Sequence, residues 1–205
     1  MNDRRGEISK ELKEVEMEGL VHEGAGQTHG QGPRIDTRVS IRPATPSDGE
    51  RLRRMFSRSS FESVYRRFHT PYSNVPERML ALMLDLDHLG KEFLVAVAEE
   101  EIVGHAMYAR LGSGAEAEMA IIIEDGWQLK GLGKSLLSEL AQRARLRGIE
   151  TFIGEVLGEN RRMLGLAAMF AGTHHTIEDG VYHVRMPLGK PDLTAHTAQT
   201  FRRAA

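Results

Sequence analysis

The chain has 205 residues, enough for one full domain with its own core. Its composition is that of an ordinary globular protein, 40% hydrophobic and 27% charged, with a formal net charge of −2. That balance calls for neither nucleic acid nor an acidic membrane, the lack of cysteine excludes thiol catalysis and disulfides, and no run approaches the ~18 apolar residues of a membrane span.

The N-terminal twenty residues are charged and contain no apolar stretch, so they do not read as a signal peptide. Residues 7–20 alternate acids and bases, and 21–37 are rich in Gly, Gln and His. So little apolar surface cannot support folding alone, and 1–37 is expected to be a disordered or mobile arm. A cysteine-free chain suits the cytoplasm.

From Val39 the pattern becomes globular. Val39-Ser40-Ile41-Arg42-Pro43 alternates as a first strand. Thr45 as N-cap, Pro46 at the first helical position and Asp48 near the positive end of the dipole open a helix. It continues over 51–57 with Leu52, Met55 and Phe56 inward. A second helix is expected over 60–68, a loop at 70–74, and a third helix from Pro76 to Leu86. Apolar runs at 92–99, 102–111 and 116–124, joined by short turns, predict three strands of an antiparallel meander.

A long helix follows, with Leu132, Leu136, Leu137, Leu140, Ala141 and Ala144 on one face. Arg143, Arg145 and Arg147 load its last turns, and Gly148 stops it. Residues 149–156 read as a strand, so strand, helix and strand make a parallel βαβ unit. A helix opening at Glu159 or Asn160 runs to about Phe170. A hairpin of 174–177 and 181–187 turns at Glu178-Asp179-Gly180, and 189–205 reads as a flexible tail. The expected fold class is α+β: a mixed sheet with an antiparallel meander, one βαβ crossover and a C-terminal hairpin.

Between the apolar run 119–123 and the long helix lies Gln128-Leu129-Lys130-Gly131-Leu132-Gly133-Lys134-Ser135. Glycine lets backbone approach a ligand closely, and the first amides of a helix point outward where the dipole favours an anion. The turn therefore reads as a phosphate grip. A Walker A loop would need glycine where Gln128 stands, and a dinucleotide fingerprint would need glycine where Leu136 stands. The pattern Gln/Arg-x-x-Gly-x-Gly/Ala is matched fully by Gln128, Gly131 and Gly133.

That pattern resembles motif A of the GNAT acyltransferases, which bind the pyrophosphate of acetyl-CoA. The resemblance covers a domain of residues 38–188, with Ala117 to Trp127 resembling the family's strand four and its lead into the turn. It is nearest to the GNAT domain of bacterial protein lysine acetyltransferases. Ile41-Arg42-Pro43-Ala44, Ser63-Val64-Tyr65-Arg66-Arg67-Phe68-His69-Thr70-Pro71 and Glu155 to Leu164 carry that likeness. It implies acetyl-CoA as donor cosubstrate and direct transfer to a primary amine. A protein lysine is the leading acceptor and a small amine the next. A non-catalytic acyl-CoA-binding module is the rival of a different class.

The chemistry needs a base to free the amine and a donor for the thioester oxygen. Glu118 matches the family's strand-four glutamate and is the candidate base. Its neighbours Met119, Ile121 and Ile123 are apolar, and partial desolvation raises a carboxylate pKa. Glu116, two residues earlier on the same face, is the rival. The resemblance further implies that backbone groups of Ile121, Ile122 and Ile123 hold the pantetheine arm. Amides of Leu129, Lys130, Gly131, Leu132, Gly133 and Lys134 would hold the pyrophosphate, with the Ser135 hydroxyl assisting. Lys130 and Lys134 either neutralise phosphates or simply face water. Asn160 either touches the CoA arm or caps its helix.

One departure stands out. Leu166 occupies the place where many members carry a tyrosine as general acid for the departing thiolate. Arg66 and Arg67 beside Tyr65 line the acceptor cleft or form a solvated face. Trp127 reads as a packing residue. His174, His175 and His183 read as a hairpin pairing rather than a metal set.

Overall fold

The computed structural model describes residues 39–189; the expected N-terminal arm and nearly all of the C-terminal tail lie outside the described residues. Seven strands form one mixed sheet: β1 (Ser40–Pro43), β2 (Lys91–Ala98), β3 (Glu101–Arg110), β4 (Glu116–Ile123), β5 (Thr151–Leu157), β6 (His174–Glu178) and β7 (Val181–Pro187). Their order is β1-β2-β3-β4-β5-β7-β6. Helices α1 (Gly49–Arg58), α2 (Phe61–Phe68), α3 (Glu77–Leu84), α4 (Leu132–Leu146) and α5 (Arg161–Ala167) pack against it. The expected meander, crossover and hairpin are all present. No described helix is long and apolar enough to cross a membrane.

The entry to α1 is a short 3-10 turn, Pro46–Asp48. The Asp48 carboxylate accepts from the Thr45 amide at 2.9 Å and its hydroxyl at 3.1 Å. Both Arg42 guanidinium ends donate to it at 2.7 Å. Those hydrogen bonds hold the Asp48 carboxyl at about 2, although the residue is only 1% exposed. The turn thus fixes α1 to β1. Ser60 caps α2 by accepting from the Ser63 amide at 3.2 Å.

Two cores lie on the two faces of the sheet. The first packs Leu132, Leu136, Leu137 and Leu140 of α4 on Tyr108, Phe152 and Val184. The second packs Leu52, Met55 and Phe56 of α1, Phe68 of α2 and Met79, Leu80 and Met83 of α3 on Phe93, Ile102 and Ile122. Strands β2 and β3 are covered on both faces, which explains their near-continuous apolar runs. Burying one such side chain contributes about 1.5–3 kcal/mol. His105 of β3 sits fully inside the second core, edge-on to Phe93 at 4.8 Å and Phe56 at 5.7 Å. Burial pushes its imidazole well below the usual range, so it stays neutral.

Some boundaries differ from expectation, each for a local reason. The fifth strand starts at Thr151 rather than Ile149. The Ile149 amide bonds back to the Ala144 carbonyl at 3.0 Å, finishing α4 after the left-handed Gly148. Helix α5 ends at Ala167 instead of near Phe170, where the Thr173 hydroxyl donates to the Ala167 and Phe170 carbonyls. Helix α3 ends at Leu84, two residues early. Strand β6 takes in Glu178, and the turn narrows to Asp179 and Gly180, both with positive φ.

The feature that shapes the site is how briefly β4 and β5 pair. Only Glu116, Ala117 and Glu118 lie beside Thr151, Phe152 and Ile153. Beyond them β5 follows β7 for its whole length, while β4 stays with β3. The sheet opens as a V between them.

Candidate active site

A cleft of about 410 Å³ occupies that opening, within the size range of small-molecule sites. Its walls come from β4, β5, the turn before α4, the start of α5 and the end of α2. The β4 backbone on the open side is unusual. The Glu124 amide bonds to the Val103 carbonyl on β3, so by strand alternation 120 and 122 also turn toward β3. Residues 119, 121 and 123 turn the other way. The Met119 carbonyl faces Gly154 of β5, 3.4 Å from where a Cβ there would sit. Past that point β5 is gone, and the backbone groups of Ile121 and Ile123 aim into the cleft.

The expected trio of Ile121, Ile122 and Ile123 is therefore split. Ile122 pairs with His105 of β3, its backbone belongs to the ladder, and its side chain is buried in the second core. Ile121 keeps its backbone open and Ile123 its amide, the Ile123 carbonyl being taken by Gln128, and the side chains of both pack on the first core.

The glycine turn has its own logic. Leu129 and Gly131 both take left-handed φ, 60° and 82°. A Cβ at Gly131 would meet nothing within 4 Å, so glycine is needed there for conformation and not for space. Gly133 has no positive φ, and its Cβ would meet Leu166 at an ordinary 3.6 Å. That difference explains why the pattern is strict at Gly131 and admits alanine at Gly133. The 15-residue α4 starts with no side-chain cap and no acid in its first turn. The amides of Leu132, Gly133 and Lys134 have no upstream helical carbonyl, so the donors and dipole converge on this corner.

Gln128 fastens the turn. Its Nε2 donates to the Ile123 carbonyl at 2.9 Å and to Ser63 Oγ at 3.1 Å. Its Oε1 accepts from Arg162 of α5. Asp125, just before it, accepts from the Ser60 amide and hydroxyl and from the Ser63 hydroxyl at 2.7–2.8 Å. Burial works to raise the Asp125 carboxyl, yet these donors hold it below the usual range. One glutamine and one aspartate so tie α2, β4 and α5 around the mouth.

Not every residue of the motif reaches the cleft. Gln128, Leu129, Gly131, Gly133, Lys134 and Asn160 line it, with Glu118 and Ile121 to Ile123. Lys130 instead donates to the Gly126 carbonyl and lies 5.2 Å from the Trp127 ring. Leu132 is buried in the first core. The Ser135 hydroxyl donates back to the Gly131 carbonyl at 3.2 Å, outside the cleft wall. Asn160 does cap α5, accepting from the Met163 amide at 3.2 Å, and still faces the cleft. Trp127 packs against the first core, as expected.

Glu118 lies on the opposite sheet face from Met119, Ile121 and Ile123. The apolar neighbours expected to desolvate it belong to the other core. Its actual surroundings are Ala120 and the end of α2, where Arg66, Arg67 and the left-handed His69 line the same cleft. Glu116 shares that face but is ion-paired with Arg185 of β7. On the neighbouring strands, His183 stands 3.7 Å from Glu155 and 3.9 Å from Glu178, while His175 packs on Tyr182. Leu166 lines the cleft beside Gly133, so an apolar side chain fills that place.

Sequence reading missed Ser63, His69, Gly154 and Arg162 as lining residues. Gly154 carried a usable signal, because a glycine inside a strand often marks close backbone approach. Ser63 and Arg162 act through Gln128, and their spacing along the chain announces nothing.

A strand pair that parts beside an uncapped, glycine-led helix fits the acyltransferase class that the glycine motif resembles. Residues 58–172 match the family described as Acetyltransferase (GNAT) family, and the chain belongs to it. Acetyltransferase Pat of Mycolicibacterium smegmatis is 30% identical over 128 residues, 60% of this chain. The match spans 38% of that relative's length. The crystal structure of the GNAT domain of S. lividans PAT superposes with a TM-score of 0.68 at 30% identity, covering 77% of this chain and 99% of that one. A phosphinothricin acetyltransferase from Sinorhizobium meliloti, in complex with AcCoA, shares the fold with a TM-score of 0.60 at 20% identity, covering 82% of this chain and all of that one.

Proposed function

We propose that the protein transfers an acetyl group from acetyl-CoA directly to a primary amine, with a protein lysine as acceptor. The observation that carries this reading is the parting of β4 from β5 over the glycine turn. The pantetheine arm is an extended amide chain, and the open backbone of Ile121 with the Ile123 amide offers it strand-like hydrogen bonds. The pyrophosphate would lie on the amides of 131–134 with Lys134 beside it. A thioester carbonyl held against β4 gains a fixed donor as negative charge develops. The AcCoA complex of the Sinorhizobium fold relative supports this choice of donor.

Glu118 stands on the acceptor side of the cleft, with the rival Glu116 engaged by Arg185. It would take the ammonium proton, directly or through a water, to leave a nucleophilic amine. The amine attacks the thioester carbon, the C–S bond breaks, and CoA leaves as a thiolate. Leu166 can supply no proton. The thiolate, a good leaving group near neutral pH, would be protonated by solvent or by the new amide's surplus proton.

The acceptor side favours something large. Helices α1–α3 pack on the meander half of the sheet, whereas every residue of β6 is exposed. Nearer Glu118, on the same sheet face, Ile153 and Glu155 of β5 and His183 and Arg185 of β7 are also open to solvent, and such an uncovered surface suits a protein carrying a lysine better than a small amine that needs enclosure. The direct test incubates purified protein with acetyl-CoA and either lysine-bearing proteins or a panel of small amines. CoA thiol release is measured beside acetylated product by mass spectrometry. Product on lysines supports the proposal. Product on small amines alone overturns the acceptor, and binding without any product overturns catalysis in favour of a regulatory acyl-CoA-binding module.

A further inference from the structure

We infer that a polar cavity beside the donor cleft is a second phosphate subsite, in which Arg161 and Arg162 hold the 3′-phosphate of the CoA ribose. This deepens the acetyl-CoA reading and rests on it. CoA carries three phosphates. The glycine turn accounts for the pyrophosphate, and the third, a monoester on the ribose, needs partners of its own.

The cavity measures about 250 Å³ and shares Ser63, Arg66, Gln128 and Arg162 with the donor cleft, so the two spaces communicate. Its charges are mostly spoken for. Asp125 is occupied by Ser60 and Ser63, and Arg66 is paired with Glu62 at 2.5 Å. Arg161 and Arg162 have no carboxylate partner among the described residues, and they outnumber the remaining carboxylate, Glu159.

Arg162 is already oriented, because its guanidinium donates to Gln128 Oε1 and Gln128 is itself held by Ile123 and Ser63. That chain of contacts places a guanidinium at the first residue of the turn that would hold the pyrophosphate. A planar fork of donors matches a phosphate's oxygens, and two of them suit a dianion. Both arginines are exposed, so replacing them leaves the cores intact.

The test measures dissociation constants of the full chain for acetyl-CoA and for 3′-dephospho-acetyl-CoA by calorimetry, before and after Arg161→Gln and the double change with Arg162→Gln. The protein as it stands is expected to prefer acetyl-CoA by about tenfold or more. The double variant should lose most of that preference, with its affinity for the dephospho compound falling by no more than about the tenfold that loosening Gln128 would cause. Arg161→Gln, which touches no residue of the turn, should give an intermediate loss. Equal affinity of the unaltered protein for both compounds overturns the subsite but leaves the acyl-CoA reading standing. Parallel weakening of both compounds in the variants also overturns it, because Arg162 would then act only through Gln128. If neither compound binds the unaltered protein, the acyl-CoA reading fails and takes this inference with it.

Discussion

The two ends of β4 make an instructive contrast. At Glu116 to Glu118 the strand is paired on both sides and its side chains carry the charge proposed to meet the acceptor. From Met119 to Ile123 one side is open and the backbone itself becomes the working surface. In the proposed reading the donor half is built from peptide groups, which any sequence supplies provided the chain takes the required path. The acceptor half is then built from side chains, which change one at a time. Backbone sites are broken by changes in conformation, whereas side-chain sites are broken by changes in chemistry.

The strongest way to break the donor half is Gly131→Asp. It puts a Cβ on a residue with φ of 82° and a carboxylate where the pyrophosphate would lie. Strain of about 1–2 kcal/mol combined with charge repulsion should weaken acetyl-CoA binding by about a hundredfold or more. Calorimetry reads that loss directly. The matching change in the acceptor half is Glu118→Gln. It should lower kcat/KM about a hundredfold at neutral pH while the acetyl-CoA dissociation constant stays within about twofold. Loss of donor affinity in that variant would erase the division between the halves.

A change far from both halves serves as a control. Asp48 is held at about 2 by Arg42, below its unfolded value of about 3.9. Its contribution is therefore fully present above pH ~4 and lost as pH falls toward ~2, amounting to about 2 kcal/mol. Asp48→Asn should lower the melting temperature at pH 7 and flatten its fall below pH 4, with donor affinity unchanged. Gln128→Ala removes the tie between the turn, α2 and α5. About a tenfold loss of acetyl-CoA affinity is expected from the freed turn, read in the same titrations. The smallest effect is expected for Gly133→Ala. Its Cβ meets only ordinary contacts, so the ligand-free melting temperature should barely move, within about 0.5 kcal/mol.

Most of the fold could be read from the chain because its signals are local. The helix start at Thr45, Pro46 and Asp48, the apolar face from Leu132 to Ala144 and the left-handed stop at Gly148 each act within a turn of themselves. The turn at Gly131 was legible for the same reason, since positive φ selects glycine. What could not be read was how far β4 and β5 would stay together. That depends on β7 claiming the whole of β5, a pairing about thirty residues further along. The division of Ile122 from Ile121 and Ile123 follows from the β3 register and was hidden for the same reason. Alternation along β4 was visible in the sequence, yet it places Glu118 away from its apolar neighbours, so their desolvating influence was misplaced.

The central claim is that backbone amides of two separate stretches, 131–134 on the turn and 121 with 123 on β4, receive the donor. Titrating acetyl-CoA into nitrogen-15-labelled protein and following its amide resonances tests this most directly. Saturable shifts concentrated on those two stretches, with Ile122 and the β6–β7 hairpin little moved, are the predicted result. Saturable binding whose shifts fall elsewhere, or no binding at all, would contradict the account.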